Sequence, residues 1–294
     1  LAKSFKQYED PLKALESHVM FQKMHELLDR VSDYRFSDWK DLKHDPDVVM
    51  GRLLHNRVGY TKIDQLPLLL GLRPDPWIGE MEAKVLAKMP PGENVLRNEL
   101  FVDIPRGDEH KHVMNHAKHA LSNLERQMVF VKQYEELPER KRSLSLFHRV
   151  HEVYEPMPFS DALLELIRRI GPVKRYTLGN YISRAPEDVD DELRELIDSG
   201  KISVVLALQP ELTEFYCIPE DAIRVRKSVR EDRDMRILTQ SDPFCSRFIQ
   251  EVRYVLKQGW YYPVFKGVDP VGRILMYKVN DYLEVRDIHI PHAY

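Results

Sequence analysis

The chain has 294 residues, 44 basic against 47 acidic side chains, and a formal net charge of -3. With 43% apolar and 31% charged residues it holds enough apolar surface for a packed core and is not a disordered chain. The near-neutral balance does not mark a polyanion binder by bulk charge, no apolar run reaches the roughly 18 residues of a membrane span, and no basic-then-apolar leader opens the chain.

Pro11 to Val31 carries apolar residues at Leu12, Leu15, Val19, Met24, Leu27, Leu28 and Val31, the spacing of an amphipathic helix. Asp45-Pro46 predicts the start of a second helix with Val48, Val49, Leu53 and Leu54 inward and Gly59 as its stop. Tyr60 to Leu66 reads as a strand or a short turn, and Pro67, Gly71, Pro74 and Pro76 mark a break.

Two segments then follow one plan. The first predicts helices over Gly79–Met89, Val95–Val102 and Asp108–Arg126, a strand over Gln127–Gln133, a polar tip at Pro138–Ser143 and a strand over Leu144–Val150. The second predicts helices over Ser160–Ile170 (capped by Ser160), Arg175–Ile182 and Pro186–Ser199, then strands over Ile202–Leu208 and Glu214–Ile218. Three helices, a strand, a projecting tip and a strand is the winged-helix order. Ser246 to Gln258 reads as a helix. Trp260–Phe265, Gly272–Lys278 and Tyr282–Ile288 read as strands joined by turns at Gly267-Val268-Asp269-Pro270 and Asn280-Asp281.

The expected fold class is α+β: tandem winged-helix modules with a small C-terminal antiparallel β module. Its expected divisions are a helical, winged-helix-like module over 1–76, winged helices over 77–156 and 157–236, and the β module over 237–294. Cys217 and Cys245 lie far apart with no CxxC spacing, which argues against a disulfide framework or a zinc–thiolate site and fits a reducing cytoplasm. The chain begins with Leu1, so an upstream domain is an open expectation.

Charge is segregated. Residues 184–221 hold three basic side chains against eleven acidic ones, and residues 222–278 hold twelve basic against six acidic ones. The third helix of the second repeat is therefore acidic and is expected to stay out of a nucleic-acid groove. Arg224, Arg226, Lys227 and Arg230, with the tip Arg140-Lys141-Arg142, are the phosphate-contact candidates. His112, His116 and His119 recur at i, i+4 and i+7 on one face of the helix in the groove-reading position of the first repeat. His112 and His116 are taken as nucleic-acid contacts rather than metal ligands, since no further ligands are spaced to complete a site. No metal and no cofactor is expected. The sequence contains no GxxxxGK[ST], GxGxxG or HExxH.

Trp260-Tyr-Tyr-Pro-Val-Phe-Lys-Gly267 followed by Val271-Gly-Arg273 resembles the end of the tandem winged-helix proteins related to bacterial DNA crosslink-repair glycosylases. So does the entry Ile237-Leu-Thr-Gln-Ser-Asp-Pro243. Ile170-Gly-Pro-Val173 and the helices after it are similar to winged helices of that family and of the C-terminal extensions of large helicase-related proteins. The resemblance covers about the last 130 residues. The family's catalytic triplet, Gln-x-Gln or Gln-x-Asp after a Gly, finds its best match in Gly59-Tyr-Thr-Lys-Ile-Asp64, with Asp64 at the Asp position and Lys62 in place of Gln.

The resemblance implies a DNA partner and a glycosylase-like repair protein acting on a damaged or flipped base. Asp64 would orient water or stabilise a sugar cation, and Lys62 is a candidate amine for attack on the sugar carbon. The competing readings are a non-catalytic nucleic-acid-binding module associated with a helicase or another repair protein, and a winged-helix scaffold for protein interactions.

Overall fold

The computed structural model describes residues 12–13, 42–53, 58–97, 99–101, 110–137, 142–209, 211–227, 235–238, 245, 261–266, 269–279 and 282–290. The helix expected over Pro11–Val31 lies outside them except at Leu12 and Lys13, and the one over Ser246–Gln258 lies outside them. The chain divides into two compact units, one of residues 7–169 and 179–196, the other of residues 1–6, 170–178 and 197–294. Helices and antiparallel sheets are mixed in an α+β arrangement. Among the described residues no helix is long and apolar enough to cross a membrane.

The first unit is built on a five-stranded sheet in the order β2-β1-β4-β5-β3. β1 (Val48–Arg52) pairs antiparallel with β2 (Val58–Lys62), and Met50 pairs onward with Lys132 of β4 (Phe130–Leu137). The expected helix after Asp45-Pro46 is thus a strand. The Asp45 carboxylate accepts the Asp47 amide at 2.8 Å and its carbonyl accepts Val48 N–H at 3.0 Å. The Asp-Pro pair therefore makes a turn, and the β-branched Val48-Val49 run enters a sheet. Gly59 sits inside β2 opposite Gly51, where it stops no helix.

α1 (Leu66–Gly71) follows a single 3-10 turn at Ile63–Gln65 and buries Leu66, Leu68 and Leu69. Gly71 ends it where the Met157 carbonyl would overlap any side chain. α2 (Glu80–Leu86) matches its predicted place. The piece expected as helix over Val95–Val102 is β3 (Asn94–Leu96), an edge strand on β5 (Arg142–Arg149), then a 3-10 turn at Glu99–Phe101. Here pairing with β5 overrides local propensity.

α3 (His110–Arg126) is the long helix expected there. It turns Ala117, Ala120, Leu121 and Leu124 toward Phe130, Phe147, Val85 and Met89. Phe130 and Phe147 meet edge-on at 4.9 Å, and Glu125 bonds Lys132 at 2.6 Å, tying α3 to β4. The strand expected from Gln127 starts at Phe130, because Met128 takes a left-handed φ of 57° and closes the helix first.

α4 (Phe159–Ile170) starts one residue before Ser160, which lies in its first turn and is not its cap. α5 (Arg175–Tyr181) and α6 (Pro186–Asp198) follow in order. α6 buries Val189, Leu193 and Leu196, and leaves Glu187, Asp188, Asp191, Glu195 and Asp198 exposed.

In the second unit, β6 (Ser203–Gln209) and β7 (Glu211–Cys217) form a hairpin, and Val173 adds a bridge to Tyr216. A helix not anticipated from sequence, α7 (Pro219–Lys227), and a short strand, β8 (Met235–Ile237), come next. β8 pairs with β9 (Tyr261–Lys266), which pairs with β10 (Asp269–Val279), which pairs with β11 (Tyr282–His289). The expected antiparallel module is present with one strand more. Val264, Val271 and Ile274 form its core, and Cys217 and Cys245 are buried thiols in no disulfide.

Candidate active site and nucleic-acid interface

Lys62 is the last residue of β2 and Asp64 the middle of the 3-10 turn that follows. The chain bends between them, yet their side chains meet: Lys62 Nζ lies 3.0 Å from Asp64 Oδ2. The lysine is 17% exposed and the aspartate 50%, so the pair opens to solvent on its carboxylate side.

Sequence reasoning missed what holds the pair. Gln65 is buried and donates Nε2–H to Asp64 Oδ1 at 2.8 Å. Arg169 of α4 donates to Gln65 Oε1, and Glu165, one turn earlier on α4, accepts from Arg169 Nε at 2.7 Å. Arg168 also donates to Glu165. The resulting relay runs Asp64–Gln65–Arg169–Glu165. Gln65 stood next to the motif, but nothing in the sequence pointed to a partner 104 residues away.

Partial burial pulls the Asp64 pKa upward, but the bonds from Gln65 and Lys62 and the charges of Lys62 and Arg169 outweigh it and leave it lowered. Burial likewise opposes ionisation of Glu165, and Arg169, then Arg168, more than offsets it. Both groups bind a proton less readily folded than unfolded. Their contribution to stability is therefore complete at neutral pH and is lost as pH falls through the carboxylate range. Arg169→Leu is accordingly expected to lower the melting temperature at pH 7, and the gap from the parent chain should close below about pH 4. A gap that persists at lower pH would mean packing, not charge, is at stake.

The histidine face is solvent-facing. His112, His116 and His119 are exposed on α3, and the His112 and His116 rings lie 4.6 Å apart. Among the described residues no three His, Cys, Asp or Glu are grouped to hold a metal. Arg142 opens β5 opposite Leu137, while Arg140 and Lys141 lie outside the described residues. Arg224, Arg226 and Lys227 fall on α7, in the other unit from the Lys62–Asp64 pair, and Arg230 lies outside the described residues.

No family model matches the chain, and no curated protein does. Among solved structures, the Streptomyces sahachiroi DNA glycosylase AlkZ superposes with a TM-score of 0.71, over 96% of this chain and 87% of that one, at 11% sequence identity. This chain has an AlkZ-like fold. The likeness covers nearly the whole length of this chain.

Proposed function

We propose that the protein binds DNA and acts as a glycosylase-like repair protein on a damaged or flipped base, with its helix–hairpin repeats serving as winged helices. The observation that carries this reading is the Lys62–Asp64 ion pair on an AlkZ-like fold, in the stretch that resembles the family's catalytic triplet. In this reading Asp64, kept ionised by its relay, stabilises positive charge developing on the sugar as the base departs.

In this reading Lys62 serves as a cation beside the carboxylate, with the nucleophilic amine as its alternative role. Its Nζ lies 3.0 Å from Asp64 Oδ2, and amine attack would require that carboxylate to take the ammonium proton first. Lys62 instead supplies positive charge to the flanking phosphate. Borohydride treatment on damaged DNA is expected to trap no Lys62-dependent adduct. A covalent adduct that disappears in Lys62→Ala would restore the amine role.

The histidine face of α3 and the basic tip at 140–142 are the proposed duplex contacts, with Arg224, Arg226, Lys227 and Arg230 as further phosphate contacts. α6, with its exposed acids, stays away from the backbone. Anisotropy titration of a labelled duplex tests the DNA reading. Binding should weaken steeply with salt, and Arg142→Ala should reduce the log–log salt slope by about one. Absence of binding at low salt would remove both DNA readings and leave the scaffold. Binding without base release would leave the non-catalytic module, working beside a helicase or another repair protein.

A further inference from the structure

Both carboxylate oxygens of the half-exposed Asp64 are engaged by the chain. Oδ2 lies 3.0 Å from Lys62 Nζ, and Oδ1 accepts Gln65 Nε2–H at 2.8 Å. Gln65 is buried, so it acts on the carboxylate from the protein side and not from solvent.

An amide has a donor end and an acceptor end, and here each end has one partner it can face. An ionised carboxylate only accepts, so Nε2 must turn to Asp64. A guanidinium only donates, so Oε1 must turn to Arg169, which donates to it from Nη1. Reversing the amide would set oxygen against oxygen at one end and N–H against N–H at the other. Arg169 therefore decides which way Gln65 points. Glu165, by accepting Arg169 Nε at 2.7 Å, holds Arg169 in turn. Glutamate in place of Gln65 would satisfy Arg169 and repel Asp64, and leucine would serve neither.

The backbone under this relay is fixed as well. Ile63 N–H donates to Asp47 O at 2.8 Å, and Leu66 N–H closes the 3-10 turn on Ile63 O. α1, which Gln65 leads into, is tied to the residues just before α4 by Met157 N–H to Pro67 O at 2.9 Å. At Gly71 an added Cβ would come within 2.9 Å of Ala162 on α4, so the two helices are in direct contact. Packing thus sets the span from Gln65 to Arg169 before either side chain takes its rotamer.

We infer that Gln65 is a positioning residue for Asp64: its amide, oriented by Arg169, fixes the rotation of the carboxylate and keeps it aimed for base release. This role rests on the base-release reading, while the lock itself is a property of the folded chain. The charges acting on Asp64 are Lys62 of β2 and Arg169 of α4, the latter flanked by Glu165 and, through it, Arg168. Substitution of Gln65 leaves all four in place, so a change in the Asp64 titration belongs to Gln65.

Carboxyl-detected NMR of the full chain tests the lock, and single-turnover base release from alkylated duplex tests its use. In the parent, the Gln65 side-chain amide protons should shift with the same midpoint as the Asp64 carboxyl, and Asp64→Asn should abolish that inflection. Gln65→Glu should raise the Asp64 midpoint by about one pH unit or more, and the acid limb of base release should move up with it. Gln65→Leu adds no charge and donates nothing. It should raise the midpoint too and slow base release at pH 7 about tenfold, with duplex affinity unchanged because Gln65 is buried. If Gln65→Leu does not fold, Gln65→Glu decides alone, since it keeps the bond to Arg169. Equal Asp64 midpoints in parent and Gln65→Glu, or amide protons that ignore the Asp64 titration, would overturn the lock. A folded Gln65→Leu with the parent's rate and acid limb would overturn the positioning role. Raised midpoints in a chain that releases no base would support the lock and remove the glycosylase reading instead.

Discussion

Replacing Arg73 with leucine is expected to destabilise the first unit by about 3 kcal/mol, more than any surface change in it. Arg73 is 6% exposed, and its guanidinium bonds Arg126 O and Arg52 O at 2.6 Å each, with Leu53 O as a third acceptor. Burial lowers its pKa to about 10, so it remains charged at neutral pH. Leucine fills the space but strands three carbonyls, and a buried unsatisfied carbonyl costs about 1–3 kcal/mol. The melting temperature should fall by roughly 6–12 °C. Arg73→Lys should recover only part of this, since an ammonium cannot span three separate acceptors with the planar fork of a guanidinium. A leucine variant that melts with the parent chain would show that water satisfies the carbonyls.

Asp64→Asn is expected to slow single-turnover base release from alkylated or uracil-containing duplex by about 100-fold or more, the usual loss when one preorganised charge at a developing transition state is removed. Binding should move the opposite way. Asparagine keeps the size of the side chain and an oxygen for Gln65, but removes a negative charge beside Lys62. Loss of that negative charge removes a repulsion of the phosphate backbone, so DNA affinity should rise. Slower chemistry with tighter binding separates a catalytic carboxylate from a merely structural one, which would lose both. Equal rates in variant and parent would remove Asp64 from catalysis and leave a DNA-binding module.

The C-terminal strands were legible because alternating apolar residues end in Gly, Pro and Asn-Asp turns, a local signal. The long helix at His110–Arg126 was legible for the same reason at period 3.6. β1 was not, since Asp45-Pro46 has the same chemistry at a helix start and at a turn into a strand. β3 was not, because three residues become a strand only when β5 lies beside them. The candidate site divides in the same way. Lys62 and Asp64 are two residues apart, within reach of a local argument. Gln65 and Arg169 meet only through tertiary packing, and Arg73 read as one more residue in a Pro- and Gly-marked break.

The carbonyl staple at Arg73 also fixes a length. It joins the last residue of α3, whose exposed face carries the histidines, to the end of β1, whose partner strand ends in Lys62. A helix and a hairpin clasped at one point behave as a caliper with its screw tightened. The span between histidine face and ion pair is set before any duplex arrives. In the proposed DNA complex, the part that bends to make both contacts at once is then the nucleic acid, and a duplex softened by damage would yield at lower cost than an intact one.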